Sequence, residues 1–225
     1  MNNYQLPLEP GNFYHIFNHA YGNELLFRSD ENYRFFLKQF DLYISPIAHT
    51  FAFCLMPNHF HFLVKIKNDL ELCQSSETLT KLEQSTNKLC QSSKTLTKFS
   101  SESMTKLNSN PSKAFSNLFS CYTQSYNKMY KRMGNLFKTP FGRLKICNTE
   151  YLMKVICYVH QNPVHHNFVK NLEDWKYSSY PSFFTNTNTK LERNEVIGWF
   201  DNIENMKFVH LQTSEKYALE MQLTY

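Results

Sequence analysis

The chain has 225 residues, a formal net charge of +5 and 42% hydrophobic residues, enough for one medium domain with its own core plus an appendage. No apolar run reaches the roughly 18 residues of a membrane span. Met1 to Gln5 lacks the basic and apolar regions of a secretory leader, so a cytoplasmic protein without membrane contact is expected. Six cysteines (Cys54, Cys73, Cys90, Cys121, Cys147 and Cys157) show no C-x-x-C spacing and read as reduced thiols, not as staples or zinc ligands.

In chain order, Phe13 to Ala20 reads as a first strand entered through the Pro10-Gly11 turn, and Tyr21-Gly22-Asn23 reverses the chain. Tyr33, Phe36, Leu37, Phe40 and Ile44 form the apolar stripe of a helix whose expected N-cap is Ser29. Ile47 to Leu55 and His59 to Ile66 are the next two strands, joined at Met56-Pro57-Asn58 into an antiparallel pair. From 69 to 110 the rhythm breaks. Ser75-Ser76-Glu77-Thr78-Leu79-Thr80-Lys81 recurs in degenerate form from Ser92 and again from Ser100. This Ser/Thr-rich segment has too few large apolar residues for a core and is expected to be a disordered insertion.

A helix over Ala114 to Met133 follows, with Gly134 expected to close it, and then an irregular strand or loop over Leu136 to Ile146. Lys113, Lys128, Lys131, Arg132, Lys138, Arg143 and Lys145 crowd this region, and Glu150 is the lone acid between Pro111 and Glu150. Lys128, Lys131, Arg132, Lys138, Arg143 and Lys145 are candidate phosphate contacts. Leu152, Val155, Ile156 and Val159 have helical spacing, with a start at Asn148 and a stop expected at Asn162-Pro163. The tail, 186–225, reads as a short helix around Val196 to Phe200 and a longer one over Asn202 to Gln222. Helices alternating with antiparallel strands predict an α+β, ferredoxin-like sandwich built from 1–68 and 111–185.

Met56-Pro57-Asn58-His59-Phe60-His61-Phe62-Leu63-Val64 is the most informative stretch. Strand alternation puts His59 and His61 on one face and Phe60 in the opposite layer. Two imidazoles on one face of a strand are half of a divalent-metal site, and mixed nitrogen and oxygen ligation without thiolates suits Mg²⁺ or Mn²⁺. Tyr158 and Asn162 lie one helical turn apart. A phenol beside a metal-ligating amide suits attack on a phosphodiester, leaving the strand on the tyrosine. Tyr122 and Tyr126 are rival nucleophiles, but their spacing in an apolar stripe makes them core residues. His160, His165 and His166 read as surface or DNA-contacting groups, while His15 and His19 share a strand face and are candidates to line the sheet near the metal.

Four blocks together resemble one family. They are Tyr14-His15-Ile16-Phe17-Asn18, the Met56 to Val64 stretch, Tyr158-Val159-His160-Gln161-Asn162-Pro163-Val164, and Asp174-Trp175-Lys176-Tyr177-Ser178-Ser179-Tyr180. Over roughly residues 10–185, apart from the insertion, the chain resembles the single-tyrosine HUH transposases, and most closely their REP-associated branch. The resemblance implies a ferredoxin-like or RRM-like fold with the histidine strand central. It implies Tyr158 as nucleophile, His59 and His61 as catalytic metal ligands, and a third ligand four residues after the tyrosine, at Asn162. Gln161 ranks second, since its direction on the helix is about 100° away. The implied substrate is single-stranded DNA with hairpins or palindromic elements, nicked and rejoined through a 5′-phosphotyrosine by a monomer or homodimer. Two alternatives stay open on sequence grounds: a DNA-binding regulator that has lost catalysis, and a metal-dependent hydrolase in which Tyr158 is structural.

Overall fold

A computed structural model describes residues 6–72 and 110–212. Most of the expected insertion and the end of the tail, including Cys73 and Cys90, lie outside these residues. The elements are β1 (Phe13–His19), α1 (Asp30–Tyr43), β2 (Ala48–Met56), β3 (His59–Ile66), α2 (Pro111–Met129), β4 (Gly142–Ile146) and α3 (Thr149–His165), then α4 (Arg193–Trp199) and α5 (Ile203–Gln212). The strands form one antiparallel sheet in the order β2-β3-β1-β4, the ferredoxin-like arrangement, with the histidine strand β3 central. Among the described residues no helix is long and apolar enough to cross a membrane.

Alternation along the strands makes two cores. Tyr14 and Ile16 of β1, with Phe60, Phe62 and Val64 of β3, pack beneath α1 and α2 against Phe36, Phe40, Phe115 and Leu118. The opposite face carries Leu63, Ala52 and Cys54 against Val155, Ile156 and Val159 of α3. The tail joins this second core, where Val196, Phe200 and Met206 are fully buried. Cys54, Cys121, Cys147 and Cys157 are not joined in disulfides.

Several boundaries differ from expectation for local reasons. Ser29 is the N-cap of α1 by position, but its side chain caps nothing. Helix α2 starts properly, with Asn110 accepting from the Lys113 N–H and Pro111 in the first turn, yet it ends at Met129, before Gly134. There the Asn127 amide donates to the Gly134 carbonyl and Arg132 donates to Asn127 Oδ1 and the Asn135 carbonyl, so side chains replace the next helical turn. Lys131 takes the left-handed conformation in that turn, at φ 50°.

Helix α3 does not stop at Asn162-Pro163. It runs through Pro163 to His165, closed by the His166 N–H donating to the Asn162 carbonyl. Pro163, buried within the last turn, removes one backbone bond without ending the helix.

The Asp174 to Tyr180 block lines the free edge of β2. The Leu55 N–H donates to the Tyr177 carbonyl, the Ser179 N–H to the Phe53 carbonyl, and the Trp175 indole to the Leu55 carbonyl. An edge covered in this way offers few unpaired backbone groups to another chain.

Gly142 sits opposite Phe17, and a Cβ placed there would lie 2.2 Å from the Phe17 ring. Phe17 in turn packs beside His61, with ring centroids 6.1 Å apart. Gly142→Ala is therefore expected to cost about 1–3 kcal/mol through overpacking. The loss should appear as a lower Tm, with Phe17→Leu in the same chain recovering most of it. An unchanged Tm would mean that the ring swings aside without cost.

Candidate active site

The site is built at the end of the sheet where β3 begins. The preceding turn is pinned by backbone bonds: the Leu26 and Phe27 N–H groups donate to the Pro57 carbonyl, and the Ala20 N–H to that of Asn58. This fixes the register from which His59 and His61 project together toward α3. Both rings are buried.

Tyr158 comes to the same place from α3. Its ring stands edge-on to His61 at 5.2 Å between centroids and to His15 at 5.9 Å. One turn further on, Asn162 Oδ1 lies 2.7 Å from His59 Nε2. The residues expected to act together are thus brought together within one chain.

The surroundings add three imidazoles. His15 Nε2 is 3.0 Å from His61 Nδ1. A proton on that Nδ1, donated to His15, fixes the tautomer that puts a lone pair on His61 Nε2. His19 stacks on His59 at 4.8 Å, and the exposed His166 stands edge-on to it at 5.0 Å. Burial lowers the pKa of His59 to about 4 and that of His15 to about 3, and pushes His61 well down, with the neighbouring imidazoles adding repulsion at His59 and His61. The rings are therefore neutral at pH 7 and able to offer lone pairs.

His59 has an oxygen at each ring nitrogen: Asn58 Oδ1 at 2.8 Å from Nδ1 and Asn162 Oδ1 at 2.7 Å from Nε2. A neutral imidazole carries one N–H, so one of these contacts sets lone pair against lone pair. Turning the Asn162 amide round, since its oxygen and nitrogen are interchangeable by shape, satisfies the contact. A cation shared by Nε2 and Oδ1 also does so. Adjacent ligands on an octahedral ion with bonds of ~2.1 Å lie ~3 Å apart, close to this gap. Among the described residues no three His, Cys, Asp or Glu side chains are placed to hold a metal. The His59, His61 and Asn162 set has only two such side chains, its third donor being an amide.

The basic candidates divide. Lys138 belongs to the site's margin: its N–H donates to the His19 carbonyl at 2.9 Å, and its charge contributes, after burial, to lowering the His19 pKa. Lys128 and Lys131 are exposed around the end of α2. Arg132 is occupied in holding its own turn. Arg143 and Lys145 pair with Ile16 and Tyr14 in the sheet and so face α2, away from the histidines. There Arg143 donates to Ser112 Oγ at 2.6 Å, and Lys145 pairs with Glu9 at 2.6 Å.

His160 is not at the surface, as its polarity suggested; it is fully buried. Its Nδ1 meets His210 Nε2 at 2.9 Å and its Nε2 meets Ser179 Oγ at 2.7 Å, while Gln161 Nε2 donates to the His210 carbonyl. This network ties the last turn of α3, next to Asn162, to α5. Nothing around His210 in the sequence marks it for that role. Tyr122 and Tyr126 are core residues as expected, donating to the Leu26 and Leu25 carbonyls at 2.5 Å.

No protein-family model matches the sequence, and no curated protein matches it. Among solved structures, that of a REP-associated tyrosine transposase bound to a REP hairpin is similar, with a TM-score of 0.55 and 14% sequence identity. The match covers 82% of this chain and 86% of that one, so the two share a fold over most of their lengths.

Proposed function

We propose that this chain nicks and rejoins single-stranded, hairpin-bearing DNA through a covalent bond to Tyr158. The observation that carries the reading is the convergence of Tyr158 on His61, with Asn162 one turn further on against His59. The hairpin held by the transposase of like fold supports DNA as the substrate.

In this reading His59, His61 and Asn162 hold Mg²⁺ or Mn²⁺, which when bound draws charge from the scissile phosphate. Tyr158 Oη attacks the phosphorus as the bond to the 3′ oxygen breaks, and the phenolic proton passes through water to that oxygen. That oxygen leaves protonated as a 3′-hydroxyl, and the 5′-phosphoryl end stays on the tyrosine. Attack by a 3′-hydroxyl on the phosphotyrosine reverses the step, with no bond energy lost to water. His15 positions the His61 ring through Nδ1, and Lys138 offers a charge to the backbone of the strand. A hydrolase would instead release both ends free.

The test is to incubate the protein with Mn²⁺ and an end-labelled hairpin oligonucleotide and run the products on a denaturing gel. A protein-linked 5′ end supports the proposal, and two free ends overturn it. His59→Ala is expected to abolish cleavage and Mn²⁺ binding measured by calorimetry, while hairpin binding in a gel-shift assay persists. Retained cleavage in that variant would remove His59 from the metal site.

A further inference from the structure

Behind the histidines, across the thickness of the sheet, α2 and the segment 135–143 enclose an open groove of about 460 Å³. Phe119 and Phe141, both buried in the core, supply an apolar floor, with the Arg143 guanidinium 4.1 Å over the Phe141 ring, and Ser120, Thr123 and Gln124 of α2 add hydroxyls and an amide. Lys138 stands in the lining as an exposed cation, and no acidic residue among the described ones contributes. The groove has the volume of a site for one small ligand. An apolar floor for a base, hydroxyls and an amide for its edges, and the cations Lys138 and Arg143 for a phosphate are groups that bind an unpaired nucleotide.

Its position connects it to the site. Asn18 lines the groove and donates to the Lys138 carbonyl at 3.1 Å. The next residue, His19, points to the other face and stacks on His59. Groove and site therefore lie back to back at the end of β1, with Lys138 at the passage between them.

We propose that this groove seats an unpaired nucleotide of the strand that Tyr158 cuts, a few nucleotides from the scissile phosphate. The proposal rests on the cutting reaction proposed above.

The test uses the full chain and a pool of single-stranded oligonucleotides, each bearing a hairpin with randomised flanks that carry 4-thiothymidine. Photo-crosslinked peptides are expected to map to 116–124 or 135–141. Ser120→Trp and, separately, Thr123→Trp should fill the groove. Each should weaken binding of flanked hairpins about tenfold, the contribution of one bound base. Binding of hairpins without flanks and the adduct rate at saturation should not change. Normal adduct formation with crosslinks only elsewhere, or equal weakening for flanked and unflanked hairpins, overturns the groove but not the cutting reaction. Crosslinks in the groove with no adduct from the unaltered protein overturn the cutting reaction instead and leave the groove as a DNA site.

Discussion

Tyr158→Phe should remove the covalent protein–DNA product altogether, a loss of at least about 10⁴-fold in rate, as when a nucleophile is deleted from a working constellation. The substitution keeps the ring that packs against His61 and His15, so the fold and hairpin affinity should stay close to those of the unaltered protein. Stability should change by no more than about 1 kcal/mol, the net worth of one hydroxyl contact. Tyr122→Phe and Tyr126→Phe are the matched controls. Each removes a hydroxyl that donates to a backbone carbonyl in the helical core, and burial pushes both phenols up and away from easy ionisation. They should cost about 1–3 kcal/mol for the orphaned carbonyl and leave the adduct intact. The opposite pattern, with adduct lost in Tyr122→Phe and kept in Tyr158→Phe, would move the nucleophile to α2 and leave the histidine cluster without a reaction.

Much of this site was legible because strand and helix periodicities are rigid rules. His59-Phe60-His61 had to split across the sheet, and Tyr158 and Asn162 had to share a helix face. The order of elements likewise gave the sheet, since a hairpin between two helical crossovers leads naturally to β2-β3-β1-β4. What remained hidden depends on partners distant in sequence. His160 reads as polar and exposed until α5 brings His210 against it, 50 residues later. Arg143 and Lys145 read as part of one basic surface, but a strand's alternation, counted from its pairing with β1, turns both toward α2. Alternation puts His15 with His19 on one face as a candidate to line the sheet near the metal, but its bond to His61 requires the β1–β3 register that only the sheet supplies.

The same burial that prepares the site should make the protein acid-labile. His15, His59, His61, His160 and His210 are all buried, and burial lowers each pKa in the folded chain, with His59 and His210 at about 4. An unfolded imidazole titrates near 6.5. As pH falls from about 6.5 to about 4, the unfolded chain therefore takes up protons that the folded chain refuses. The stability present at neutral pH is lost over that window, at up to about 1.4 kcal/mol per pH unit for each ring. His59 and His210 alone reach about 3 kcal/mol each by its lower end. The lowered carboxylates Asp30, Glu71 and Glu150 add to the loss from about pH 4.5 downward, as their unfolded counterparts take up protons. Set against a total of about 5–15 kcal/mol for an ordinary domain, five such rings should bring reversible unfolding to about pH 5. Circular dichroism at stepped pH measures the midpoint, and denaturant titrations at each pH give the slope. His210→Gln removes one titrating ring and breaks the bond to His160. It should lower stability at pH 8 yet flatten the slope between about pH 6.5 and about 4 by up to 1.4 kcal/mol per unit. A fold that keeps its neutral-pH stability down to pH 4 would show that these imidazoles are hydrated, and with that the dry, neutral histidine cluster beside Tyr158 would be lost.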